Sequence, residues 1–166
     1  MTKPKKPPKQ PVISAHTDGS ALGNPGPGGY GAVIRTAGVK STLAKGYYKT
    51  TNNRMEIMAV IAVLEEFGPG QHFEIFTDSQ YTINGSTVWM RGWIRNNWIT
   101  HQTQTPVKNK DLWMIMQELL KVNKVKFFKV KAHSGIPDNE EADKLAKDAA
   151  GDPTTQDVEY INTIGI

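Results

Sequence analysis

Apolar and polar positions alternate from Val12 onward, and the alternation predicts strands before any helix. Val12 to Asp18 reads as the first strand. The turn-rich stretch Gly23-Asn-Pro-Gly-Pro-Gly-Gly29 follows, then Tyr30 to Arg35 as a second strand and Ser41 to Tyr48 as a third, after an Ala37-Gly38 turn. Connections this short favour an antiparallel meander. The period then changes. Thr51 or Asn52 caps a helix carrying Met55, Met58, Ala59, Ala62 and Val63 at helical spacing, which stops near Gly68-Pro69-Gly70.

Phe73 to Thr77 is a short apolar strand, followed at once by a helical segment from Ser79 to Ile83. Asn84-Gly85-Ser86 is expected to break that segment, with Ser86 capping a new helix through Trp98. Asn109 opens another, Asp111 to Lys121, with Leu112, Ile115, Met116 and Leu119 on one face. Val125 to Lys131 is the last strand. Asp138 or Asn139 caps a final helix that ends at Gly151. The order βββαβαααβα describes an α/β domain with a mixed sheet, antiparallel first and parallel later, flanked by helices.

Composition narrows the class. The 166 residues suit one domain, and 38% hydrophobic with 22% charged content is that of a soluble globular protein. The longest apolar stretch, Met55 to Leu64, contains Glu56 and is too short to cross a bilayer. With no cysteine, disulfides and thiolate metal sites are excluded. No signal segment opens the chain, so a cytoplasmic protein is expected. Three segments emerge: a basic Pro/Lys-rich flexible arm at 1–11, a domain at 12–151 and an acidic tail at 152–166. The net charge of +4 sits in the arm, through Lys3, Lys5, Lys6 and Lys9. Residues 11–136 have 14 basic against 8 acidic side chains, and residues 137–166 have 2 against 8, so a polyanionic partner suits the first part.

Gly26-Pro-Gly-Gly-Tyr-Gly31 satisfies G-x-G-x-x-G, but those glycines run into a strand rather than a helix, and Pro25 and Pro27 lack amide donors. Dinucleotide binding is therefore rejected. The acids carry more. Asp18 and Asp78 each end an apolar strand in a Thr-Asp-(Gly/Ser) context, Glu56 lies in the first turns of its helix, and Asp143 lies near the start of the last. Singly, each could be a cap or a turn former. If the two strands are neighbours, the carboxylates meet at one edge and repel, and their pKa values rise unless a cation neutralises them. All-oxygen ligands without cysteine or a histidine pair favour a hard ion, and acids dispersed along the chain exclude a calcium loop.

Thr17-Asp-Gly-Ser-Ala-Leu-Gly-Asn-Pro-Gly-Pro-Gly-Gly29, Thr51-Asn-Asn-Arg-Met-Glu-Ile57, Thr77-Asp-Ser-Gln-Tyr81, and His133-Ser-Gly followed by Asn139-Glu-Glu-Ala-Asp143 together resemble the type 1 ribonucleases H, in the stand-alone bacterial or phage form. The resemblance implies a ribonuclease H-like five-stranded mixed sheet and endonucleolytic hydrolysis of the RNA strand of RNA–DNA hybrids, leaving 5′-phosphate and 3′-hydroxyl ends. It makes Asp18, Glu56, Asp78 and Asp143 ligands of two Mg²⁺ ions, with Mn²⁺ as an alternative, and His133 an aid to proton transfer or product release. Asn24, Thr51, Asn52, Asn53 and Gln80 match positions that contact the hybrid. A monomer without membrane attachment is expected.

Residues 79–110 hold no Asp or Glu but carry Arg91, Arg95, Lys108 and Lys110, interleaved with Trp89, Trp93 and Trp98. In the family this region looks like a basic protrusion gripping the DNA strand, which would give Trp89, Arg91, Trp93 and Arg95 substrate contacts. Trp89 and Trp93 share a helix face and suit core packing as well; Trp113 reads as core. Other nucleases of the same superfamily, a junction resolvase or a transposase core, and a catalytically silent hybrid-binding module are the rivals.

The chain departs from the family pattern at Thr100-His-Gln-Thr-Gln-Thr105, where lysines are common, and at Ala132, where glycine commonly precedes the motif histidine. The lysine arm is expected to compensate for the weakly charged protrusion. Deleting residues 1–10 should raise KM for a hybrid, most visibly at moderate salt, in steady-state cleavage assays. An unchanged KM would contradict that role.

Overall fold

Ile13, Ala15 and Thr17 are buried on one side of β1 (Val12–Ala21), while Ser14 and His16 point to the other and are only partly covered. The computed structural model describes residues 10–163, so the lysine run of the expected arm and the last three residues of the expected tail lie outside the described residues. β2 (Gly26–Thr36) and β3 (Val39–Thr50) join β1 as the antiparallel meander, and β4 (His72–Thr77) and β5 (Lys124–Lys129) add in parallel on its other side. The sheet order is β3-β2-β1-β4-β5.

α1 (Asn52–Glu66) is capped by Thr51, whose hydroxyl accepts from the Arg54 amide at 3.2 Å; Asn52 is already helical. The expected apolar stripe is too narrow. Met55, Ala59 and Val63 are buried, but so are Ile57, Val60, Ile61 and Leu64, because α1 lies between the sheet and α4 (Lys110–Val122). Ile13, Ala15, Ala32, Ile34, Phe73 and Ile75 from the sheet complete this core.

The opposite face is covered by α5 (Pro137–Gly151), which explains the glycine-rich segment. The expected turn through Gly29 ends sooner, since β2 begins at Gly26. A Cβ on Gly29 would lie 2.6 Å from the Ala146 carbonyl oxygen, and one on Gly31 2.5 Å from that of Ala142. Gly46 on β3 meets the Ala149 carbonyl in the same way. These glycines let a helix of small residues (Ala142, Ala146 and Ala150, all fully buried) rest directly on the strands. The α5 cap is corrected too. Pro137 opens the helix after Ile136, while Asp138 leaves capping to bind Arg35 through 2.6 and 2.9 Å bonds, and Asn139 is buried.

Gly85 does not break its helix. α2 (Gln80–Asn84) continues through a π-helical turn, Gly85–Trp89, into α3 (Met90–Arg95), and the Trp113 ring fills the space beside Gly85 where a side chain would stand. The helical run ends at Arg95, short of Trp98. Asn97 and Trp98 adopt left-handed φ of 54° and 62°, and Trp98 turns back into the core. Val130 lies beyond the end of β5, yet its amide still donates to Thr77 at 3.0 Å.

The acidic C-terminal stretch packs against the domain. The Tyr48 amide donates to the Thr155 carbonyl, and Asp157, 3% exposed, takes bonds from Arg54 Nε at 2.8 Å, Arg54 Nη2 at 3.0 Å and the Thr50 hydroxyl at 2.7 Å. Arg54 also grips Asp111 on α4 through 2.7 and 2.8 Å bonds. Burial works against its charge, but the two carboxylates outweigh that and hold the guanidinium above its usual range. Tyr160 of α6 (Val158–Thr163) lies over the same group. Asp157→Ala leaves half of this pairing unmet and should destabilise the fold by about 3 kcal/mol in urea denaturation. A loss below about 1 kcal/mol would show that Asp111 alone satisfies Arg54.

Candidate active site

Parallel strands finish at the same edge of a sheet, and β1 and β4 are hydrogen-bonded neighbours with His16 opposite Phe76. Two residues further along, Asp18 and Asp78 therefore come out side by side. Gly19 brings in the third acid. A Cβ there would strike the Glu56 amide and Met55, so only glycine lets β1 pass this close to the first turn of α1. As a result, Asp18, Glu56 and Asp78 each place a carboxylate oxygen within 4.8 Å of the others.

Three carboxylates this close, partly out of water, repel one another, and Asp18 and Glu56 resist ionisation. Burial, followed by the charge of Asp78, pushes Asp18 up to about 7. Burial and then Asp18 and Asp78 raise Glu56 well above the ordinary carboxylate range. The Gly19 amide donates to Asp18 at 2.9 Å, but Glu56 Oε2 is buried without a hydrogen-bond partner among the described residues. An orphaned, buried acceptor in an all-oxygen cluster fits a hard divalent cation.

Asp143 stands outside this tight triplet, although the sequence groups it with the other three. It reaches Asp18 through α5: Gly31 is paired with Asp18 in the sheet, and Ala142 rests on Gly31. The two groups act on one another's charge. Burial raises the Asp143 carboxyl, but Lys147, 3.0 Å away and one helical turn on, and then Asp18 and His133 draw it below its ordinary value. Lys147 is absent from the sequence reading, although its i+4 spacing from Asp143 was a usable signal. His133 is exposed, with φ of 54°, on the loop between β5 and α5.

The expected substrate residues divide into two places. Asn24, Thr51 and Asn53 line a cavity of about 940 Å³ together with Lys108, Asn109 and Lys110. The Asn24 side chain accepts from the Asn52 amide at 3.1 Å and ties the β1–β2 connection to α1. Gln80 opens α2, exposed, with its amide donating to Asn84 at 2.8 Å. Arg91 and Arg95 are exposed on α3. Trp89 and Trp93, ambiguous in sequence, separate here. Trp93 packs against Trp98 and the buried Trp113, with ring centres 6.2 and 5.4 Å away, whereas Trp89 is 39% exposed. The cavity role of Asn109 and the Arg54 cluster are the additions that only the folded chain reveals.

Comparison with known proteins is consistent across sequence and structure. A model of the RNase H family matches residues 10–151. The ribonuclease H of Edwardsiella ictaluri is 46% identical over 148 residues, covering 89% of this chain and 96% of that protein. The ribonuclease H of Citrobacter koseri is 47% identical over 148 residues, covering 89% and 95%. Among solved structures, LC9-RNase H1, described as a type 1 RNase H with the type 2 active-site motif, superposes with a TM-score of 0.79 at 29% identity, over 90% of this chain and 76% of that one. RNase H1 from Halobacterium salinarum gives 0.59 at 26% identity, over 85% and 98%.

The raised carboxyls make a pH signature. Between the ordinary carboxylate value of 3.8 and about 7, the native state holds a proton on Asp18 that the unfolded chain has released. Stability without metal should therefore fall as pH rises through that window. Asp18→Asn should be more stable than the parent at neutral pH and lose this component of the slope, in urea denaturation with chelator present. Parallel pH profiles for the two chains would contradict the assignment.

Proposed function

The chain belongs to the RNase H family, and from that premise we propose that it is an endonuclease hydrolysing the RNA strand of RNA–DNA hybrids by in-line attack of water. The products would be 5′-phosphate and 3′-hydroxyl ends. The observation supporting this most strongly is the cluster of Asp18, Glu56 and Asp78 with the orphaned Glu56 oxygen. These three acids and Asp143 would hold two Mg²⁺ ions, or Mn²⁺ in their place, which would supply water activation, charge neutralisation on the phosphoryl group and stabilisation of the departing 3′ oxygen.

The residues themselves divide the remaining work. Glu56 and Asp18 anchor the deep side of the cluster, where burial fixes their orientation. Asp143, held in its charged form by Lys147, completes the rim from α5. His133, exposed beside Asp143, takes or gives a proton at the leaving-group side, and its loop position lets product depart. Asn52, Asn53 and Gln80 carry donors and acceptors suited to a 2′-hydroxyl read from a wide minor groove. Trp89, Arg91 and Arg95 form an exposed basic face for the DNA strand, and the cavity at Asn24, Thr51, Lys108 and Lys110 offers amides and ammonium groups to its backbone. Trp93 would act by supporting Trp89, whose ring centre is 6.0 Å away. Among the described residues no helix is long and apolar enough to cross a membrane. We assign the chain to a reducing cytoplasm as a monomer, a setting that suits a chain without cysteine.

An end-labelled hybrid should lose its RNA strand only with Mg²⁺ or Mn²⁺ present, while single-stranded RNA, duplex RNA and duplex DNA survive. Chelation should stop the reaction. Asp78→Asn should reduce turnover to background with an unchanged melting temperature, since Asp78 is only partly buried and lies at the sheet edge. Retained activity in that variant would remove Asp78 from the centre, and cleavage of a DNA junction would favour the resolvase reading.

A further inference from the structure

The side chains of His16, Phe76 and Phe128 occupy one row across β1, β4 and β5, as the register His16 opposite Phe76 opposite Phe128 requires. Their rings form a ladder. His16 and Phe76 are stacked at 4.7 Å with planes 12° apart, and Phe76 and Phe128 at 4.9 Å with planes 16° apart. β5 is the last strand of the sheet, so the ladder ends at the edge on Phe128, which is 37% exposed. At its inner end α5 covers β1. The core of the domain lies on the other face, where Phe73, Ile75 and Phe127 point.

The surroundings of the open end are basic. Lys124, Lys126, Lys129 and Lys131 are all exposed, and residues 124–131 contain no acid. Lys124 and Lys126 alternate with Phe128 on the same face, while Glu74, opposite Lys126 in the sheet, is the acid of that face nearest them in register. Lys129 donates to the Asp78 carbonyl at 2.5 Å, linking this strand to the edge of the catalytic centre. The row of rings lies only two residues before Asp18 and Asp78, about 7 Å along the strands.

We propose that Phe128 is the terminal step of a stacking platform for single-stranded nucleic acid, with a base continuing the ladder and its phosphates held by Lys124 and Lys126. Near-parallel rings present a π-face at the sheet edge, and every base has a matching one. Lysines on the same face supply the charge that a polynucleotide backbone requires. A strand held there lies beside the acids of the candidate centre. Edge lysines also deter strand-to-strand aggregation, but that role requires neither an exposed ring nor a stacked row.

The test is fluorescence anisotropy of labelled dT and U dodecamers with the full chain in chelator, so that binding is read without turnover and its failure leaves the cleavage reading intact. Phe128→Leu keeps the apolar contact and removes the π-face; it should weaken binding about tenfold. Phe128→Trp should restore it. Lys124→Glu with Lys126→Glu should weaken binding and flatten its dependence on salt. Equal loss with both oligomers identifies a platform indifferent to the sugar, and loss with one alone assigns it to that polymer. Melting curves establish that each variant is folded, and the Phe128→Trp result decides should Phe128→Leu prove unstable. Wild-type affinity in Phe128→Leu, or no recovery in a folded Phe128→Trp, would overturn the proposal, as would loss confined to the lysine variant.

Discussion

Carboxylates repel one another most where water is least able to screen them, and this chain holds three of their oxygens within 4.8 Å of one another at the end of its sheet. On the buried side of that cluster the Gly19 amide is the hydrogen-bond donor among the described residues. Asp18 accepts one amide, and one oxygen of Glu56 has no partner. An arrangement so unfavourable persists because the surrounding backbone leaves the acids no other position. Parallel pairing fixes Asp18 beside Asp78, and the bare Cα of Gly19 admits the first turn of α1 and with it Glu56. The strain is electrostatic, and it is the kind that a bound cation would relieve.

The same close approach governs the other face. Gly29, Gly31 and Gly46 let α5 rest on the strands, and that contact determines how near Asp143 and its Lys147 partner come to Asp18. A larger residue at any of these positions would push the helix outward and move the fourth acid with it. The Arg54 cluster, in turn, joins α1, α4 and the C-terminal stretch behind the cavity containing Thr51 and Asn109. Rigid backbone contacts on both faces thus hold a centre whose own groups would separate if free.

Much of this was readable from the chain, for identifiable reasons. Asp18 and Asp78 share a Thr-Asp-small context that survives any detail of packing, and the alternation and helical period gave the five strands and α1 in the right order, with β2 starting four residues earlier and β5 ending two residues sooner than expected. The errors were of another kind. Gly85 resembles a helix breaker, yet its role is to admit the Trp113 ring, and Asp138 resembles a cap, yet it binds Arg35. Asp157 carries no local sign that it is buried against Arg54, because a charge in a polar tail reads as solvated. Each miss depends on a partner far away in sequence, and periodicity contains no information about such partners. The narrow stripe drawn for α1 fails for the same reason, since a helix between two layers buries more than one face.

The central claim is that the raised Asp18 and Glu56 carboxyls give up protons when a cation binds between them. Calorimetric titration of Mg²⁺ into the chain at about pH 6, repeated in buffers of different ionisation enthalpy, counts the protons exchanged per ion. With Asp18 near 7 and Glu56 also raised, the account predicts proton release on binding, shrinking as the pH is raised toward about 9. Binding that releases no proton at about pH 6 would mean the acids are already ionised in the empty site, and would contradict it.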